Sequence, residues 1–228
     1  MAEARAILAG DICLSLAQSA VATSGFGPAI TQQLQHLQQQ VLFTVISGEL
    51  TDIAQSRSKQ LPELTEVATM YREKTSSYSF TLPLVSAALS AGIDTDTELL
   101  QTIGGCLGVA YQLQDDLLGM FADQALTGKS NGSDLQEGKR TILLLKTLEL
   151  ATPAQRQALE PLLGPQDNGE QLLKARQIIN ETSAEKYVED QIEYYIEQAV
   201  AAITQTQLSN TAQQCLIDMA RGLIKRQG

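Results

Sequence analysis

Two adjacent acids inside a long apolar run constrain this chain more than any other feature. Asp115 and Asp116 sit in YQLQDDLLGMF, with GGCLGVAY just before them and Leu113, Leu117, Leu118, Met120 and Phe121 around them. An uncompensated buried carboxylate costs several kcal/mol, so acids in such a stretch must be paired, bound to a metal or turned toward a cavity. On a helix, Gln112, Asp115, Asp116 and Gly119 follow i, i+3, i+4, i+7 spacing and project to roughly one face. The fold must therefore give an otherwise apolar helix one polar face with something to bind.

Lys129 and Lys139 follow in TGKSNGSDLQEGKRT. Carboxylate oxygens suit Mg²⁺, which keeps several waters and takes one or two carboxylates plus phosphate oxygens. Ammonium groups from the following loop would neutralise the remaining charge of a diphosphate through charge-assisted hydrogen bonds. Acids and lysines together predict a magnesium diphosphate site, with the cation at Asp115 and Asp116.

The rest of the chain reads as helix. Ala, Leu, Gln and Glu dominate and β-branched alternation is rare, which favours an all-α fold. With 228 residues, 43% of them hydrophobic, one domain spanning 1–228 can bury a sizeable core. Glycine and proline punctuation divides it into about ten helices, expected as a bundle around a central cavity. The first runs from Ala2 to about Ala22 and stops at SGFGP; the second runs from Ala29 to about Ser56. A third spans about Leu61 to Ser76, with a break or kink in TSSYSF ahead of Pro83 and a further helix ending at Gly92. The acid-bearing helix extends from Asp96 to about Ala122, Gly128 to Gly138 reads as a polar loop, and Thr141 to Leu150 as a buried helix. Two longer helices begin near Ser183 and Ser209.

A net charge of -10 argues against nonspecific nucleic-acid binding, which needs a positive footprint. It does not argue against a diphosphate, because a local cation and lysines set the potential inside a cleft. There is no stretch of 18 uninterrupted apolar residues, no leader pattern and no basic amphipathic anchor, so the expectation is a cytoplasmic protein without a stable membrane anchor. Cys13, Cys106 and Cys215 read as reduced core residues. The only histidine, His36, lies in a glutamine-rich helix face and is expected on the surface, which leaves a histidine-based metal site or triad without support.

YQLQDDLLGMF followed by TGKSNGSDLQEGKRT resembles the second aspartate-rich region of the trans-type polyprenyl diphosphate synthases, the group that contains farnesyl and geranylgeranyl diphosphate synthases. AILAGDICLSLA around Gly10 and Asp11 matches a helix start of that family, and GELTDI at Gly48 to Ile53 is similar to its GQxxD element. YREKTSSYSFTLPLVSAALSAG resembles its lysine-threonine segment, and CLIDMARGLIKR its last helix.

The resemblance implies a prenyltransferase that uses Mg²⁺ to condense isopentenyl diphosphate with an allylic prenyl diphosphate. It implies that Asp115 and Asp116 bind the metal and that Lys74, Lys129 and Lys139 clamp the diphosphate. Thr75 would support the cation through its oxygen, and Gln112 would bond a metal water or face developing positive charge. Asp52 and Glu49 would line the same cavity, with Met70, Tyr78, Phe80 and Phe43 as apolar walls.

Two departures stand out. Gly119 ends the motif where the family's DDxxD has aspartate, a feature shared by some geranylgeranyl-type members. The family also carries a first aspartate-rich motif upstream of the segment matching AILAGD, whereas this chain opens MAEARAILAGD and holds no second DDxxD. The expectation is a chain N-terminally incomplete relative to the family, poorly active alone, and a homodimer or a partner of another synthase subunit. A noncatalytic prenyl-synthase-like subunit and an ionising terpene cyclase are the alternatives; the GK and DLxxGKRT elements favour chain elongation.

Overall fold

Helices form where runs of good helix formers lie between glycine and proline stops. The computed structural model describes residues 2–93, 96–121, 133–159 and 169–224. Helix α1 (Ala2–Ala22) ends at the SGFGP turn, and α2 (Pro28–Arg57) starts on a proline whose fixed φ suits the first helical position. A reciprocal capping box between Glu63 and Glu66 opens α3 (Leu64–Tyr71), three residues later than the expected start at Leu61. A π-helical segment (Arg72–Thr81) leads into α4 (Leu82–Ala91), which closes on Gly92 at φ 63°. The acid-bearing helix is α5 (Thr97–Phe121), and α6 (Ser133–Gln136) is one short turn inside the segment expected to be loop. Then come α7 (Ile142–Leu150), α8 (Pro153–Leu159), α9 (Gly169–Thr182), α10 (Ala184–Gln205) and α11 (Asn210–Ile224). No strand occurs among the described residues, so the fold is all-α.

Helix α5 is the axis of the molecule. It packs most extensively on α10 and on the π-helical segment, and α2 covers the other side of that segment. Ile103 and Leu113 of α5, Leu143 of α7, Ile179 of α9, and Ile196 and Ile203 of α10 are fully buried at the centre.

The break or kink expected in TSSYSF is a change of winding, and the chain stays helical from Leu64 to Ala91. The winding widens, with the N–H of Leu82 donating to the Ser77 carbonyl five residues back. Pro83 then falls at the start of α4, where its missing N–H does least harm. Neighbouring helices hold the wide turns tightly. A Cβ on Gly48 of α2 would meet the Lys74 nitrogen at 2.5 Å, and one on Gly108 of α5 would meet Ser76 Oγ at 2.1 Å. Only glycine permits both approaches.

Several side chains depart from expectation. Phe43 is 74% exposed and Tyr78 54%, so neither walls a cavity. Met70 is buried, and Phe80 is half-buried against Tyr111 at 5.7 Å. An apolar cavity of about 290 Å³ lies between α4 and α11, lined by Phe80, Leu84, Leu107, Leu216, Met219 and Leu223. Of the three free cysteines, Cys13 and Cys215 are exposed and only Cys106 is half-buried. Cys13 lies on α1, almost all of which is uncovered, and Cys215 lies on the outer side of α11. His36 is exposed, as expected. Glu3–Ala22 is long and apolar enough to cross a membrane by length and composition, and none of it is buried. Its Ile7, Leu8, Ile12 and Leu16 join the exposed Phe43 and Leu50 of α2 as uncovered apolar side chains.

Candidate active site

The polar face of α5 turns into a cleft between α2, the π-helical segment and the chain running from α6 into α7. Asp52, Met70, Tyr71, Lys74, Gln112, Asp115, Asp116, Asp134, Lys139, Arg140 and Thr141 line it around about 40 Å³ of space that opens to solvent. Four aspartates face two lysines and one arginine, so the cleft offers carboxylate oxygens for a cation beside positive groups for a phosphate.

Asp116 is only 4% exposed. One of its oxygens accepts from the Tyr71 hydroxyl and the other from Gln112 Nε2 at 3.2 Å. Burial pushes its pKa up to about 8, with Asp134 and Asp115 adding to the rise against the opposing pull of those two hydrogen bonds. Asp115, next to it, is half-buried and lines the cleft. Thr75 Oγ1 donates to Gln112 Oε1 at 2.9 Å, so both ends of the Gln112 amide are engaged.

The lysines come from two different elements. Lys74 Nζ lies 2.6 Å from Asp52 Oδ2 and 3.1 Å from Glu49 Oε2. Partial burial pulls its pKa down, but Asp52 and Glu49 outweigh that and leave it raised. Lys139 Nζ lies 2.7 Å from Asp134 Oδ1 and 3.0 Å from Glu137 Oε2. Its pKa also stands above the usual range, since the two acids overcome the effect of burial. Both ammonium groups are thus fixed as cations at the rim. Arg140, 8% exposed, donates from Nη2 to the Ser58 carbonyl at 3.4 Å, while its Nε and Nη1 have no hydrogen-bond partner among the described residues.

Lys74, Thr75, Gln112, Asp52, Asp115, Asp116 and Lys139 are thus gathered by the fold. Lys129 lies outside the described residues. Four cleft residues carry no expected role: Tyr71, Asp134, Arg140 and Thr141. Asp134 holds Lys139 and fills the space beside the glycine of the motif: a Cβ on Gly119 would lie 3.1 Å from Asp134 Oδ2. The DLxxGKRT element contains it, and an acid four residues before the glycine of GK is the signal the sequence offers. Among the described residues no three histidines, cysteines or acids converge as a ready metal cage. The donor set is nevertheless all oxygen, which fits Mg²⁺ completed by water and phosphate.

An all-α bundle with this cleft beside its long central helix is the architecture of isoprenyl diphosphate synthases. The geranylgeranyl pyrophosphate synthase of Corynebacterium glutamicum, solved with isoprenyl diphosphate and magnesium, superposes with a TM-score of 0.89 at 30% identity, over 96% of this chain and 62% of that one. The chain belongs to the polyprenyl synthetase family, whose model matches residues 1–182. A short chain isoprenyl diphosphate synthase of Methanothermobacter thermautotrophicus is 30% identical over 165 residues, 72% of this chain and 50% of that protein. A geranylgeranyl diphosphate synthase of Sulfolobus acidocaldarius is 33% identical over 141 residues, 61% and 42%. The chain thus spans about half the length of the relatives it matches.

Proposed function

We propose that the cleft binds an allylic prenyl diphosphate together with Mg²⁺ and that the protein transfers the prenyl group to isopentenyl diphosphate. The observation that carries this reading is the convergence of Asp115, Lys74 and Lys139, from three separate elements, on one small cleft. Asp115 would hold the cation, with Asp116 behind it, and Mg²⁺ would supply charge neutralisation to the diphosphate. Lys74 and Lys139 stabilise the negative charge that grows on the leaving group as the allylic C–O bond breaks and its electron pair departs with the diphosphate. Thr75 keeps lone pairs free for the allylic cation, its proton being spent on Gln112. The double bond of isopentenyl diphosphate then forms the new C–C bond, and the proton lost goes to the departing diphosphate. The relatives named above are prenyl diphosphate synthases, which supports elongation over the cyclase reading.

We further infer a cytoplasmic protein, supported by exposed, unpaired Cys13 and Cys215, and association with a second copy or a related subunit through the uncovered apolar faces of α1 and α2. The test is turnover of labelled isopentenyl diphosphate with geranyl or farnesyl diphosphate, by the protein alone and mixed with a complete synthase subunit. Lys139→Ala should slow any turnover by about 10²-fold, the typical loss of a donor aimed at transition-state charge. A variant within about twofold would return Lys139 to a surface role. Failure of every pairing to elongate would leave the noncatalytic subunit.

A further inference from the structure

Tyr71 closes α3, one turn before Thr75, and is 3% exposed. A phenol has one proton to give and lone pairs to accept with, and both are in use. Its hydroxyl donates to Asp116 Oδ2 and accepts from the Ile142 N–H at 3.4 Å. Ile142 is the first residue of α7. Its amide is among those a helix leaves without an internal partner. Thr141 Oγ1 caps the same end by accepting from the Leu144 N–H at 3.2 Å. The phenol therefore bridges three elements at one point: α3, the acid-bearing face of α5 and the start of α7. Lys139 lies three residues before Ile142, and Asp115 precedes Asp116.

We propose that Tyr71 is a positioning residue, whose hydroxyl locks Asp116 to the start of α7 and so fixes the distance between the cation-holding edge at Asp115 and the ammonium edge at Lys139. Asp116 is then a brace more than a ligand: its two oxygens face the Tyr71 hydroxyl and the Gln112 amide, which leaves Asp115 as the α5 carboxylate that meets a cation. This rests on the reading of the cleft as a Mg²⁺ and diphosphate site.

Tyr71→Phe removes the hydroxyl and keeps the ring that fills the core. Inorganic diphosphate is titrated by calorimetry at a series of Mg²⁺ concentrations. The Mg²⁺ needed for half-maximal diphosphate binding should rise about tenfold, the usual scale for losing a group that orients a metal ligand. Excess Mg²⁺ should restore the binding, the melting temperature should stay within a few degrees of the wild type, and amide exchange at Ile142 to Leu145 should quicken. An unchanged Mg²⁺ requirement overturns the proposal. So does weakened binding that Mg²⁺ fails to rescue alongside a collapsed melting temperature, since that describes a purely structural tyrosine. Should Tyr71→Phe fail to fold, Asp116→Asn carries the test: faster exchange at Ile142 supports the bridge and unchanged exchange overturns it. A wild type that binds no diphosphate with Mg²⁺ sinks the site reading and the proposal together; a binding wild type with an indifferent Tyr71→Phe sinks only the proposal.

Discussion

The close approach of α5 to the π-helical segment makes Gly108→Ala a sharp test of how the site is held. The added Cβ would lie 2.1 Å from Ser76 Oγ and 2.3 Å from both Ser76 Cβ and Cα. Carbon atoms in contact want about 3.5–4.0 Å, so the two elements must part by about 1 Å or more. Turning the Ser76 side chain cannot relieve this, because Cα belongs to the backbone. Overpacking of this kind costs about 3 kcal/mol, at the upper end of the usual range. For a domain of this size that lowers the melting temperature by about 6–12 °C. Three residues earlier the same substitution should act the other way. A Cβ on Gly105 meets nothing within 4 Å, so Gly105→Ala gains about 0.5–1 kcal/mol of helix propensity. Thermal unfolding of the two variants, followed by circular dichroism, reads both signs. Gly108→Ala should also weaken Mg²⁺-dependent diphosphate binding, because Lys74 and Thr75 ride on the displaced segment. Equal melting temperatures for the two variants would refute the packing argument.

Asp116 should give the protein a distinctive pH dependence. Its folded pKa of about 8 stands above the ordinary carboxylate value, with Asp134, Asp115, Tyr71 and Gln112 facing it. Between the two values the folded chain holds one proton more than the unfolded chain, so stability falls as pH rises, by up to about 1.4 kcal/mol per pH unit. Asp116→Asn should flatten that slope, and an unaltered slope would contradict the burial argument. The uncovered faces of α1 and α2 should drive association, so light scattering should find a dimer or larger species that Ile12→Lys combined with Phe43→Lys dissociates; a monomeric wild type would count against the face as an interface.

How much of this was legible in the sequence depended on where the cause lay. The end of α1 and the starts of α2 and α5 agree with expectation within a residue, because glycine, proline and the Asp96 side chain set them locally. The π-helical segment reads only as a break or kink in the sequence, because the close approaches that hold it are tertiary, at Gly48 and Gly108 on two other helices. The same holds for the site. Asp115, Asp116, Lys74 and Lys139 announce themselves as charges in apolar or patterned surroundings, and the fold brings them to one cleft. Tyr71 reads as one more apolar helix residue until α5 and α7 are packed against it. Cys13 and Phe43 are exposed for the converse reason: hydrophobicity alone cannot say that a helix face stays uncovered.

The most direct test of the central claim is a crystal soaked with inorganic diphosphate and Mn²⁺ standing in for Mg²⁺, with the cation located by anomalous scattering. The account predicts a peak at ligand distance from an Asp115 oxygen, with diphosphate oxygens completing its shell and reaching Lys74 and Lys139. A cleft with neither ion, or a cation bound by Asp52 and Glu49 while Asp115 stays uninvolved, would contradict it.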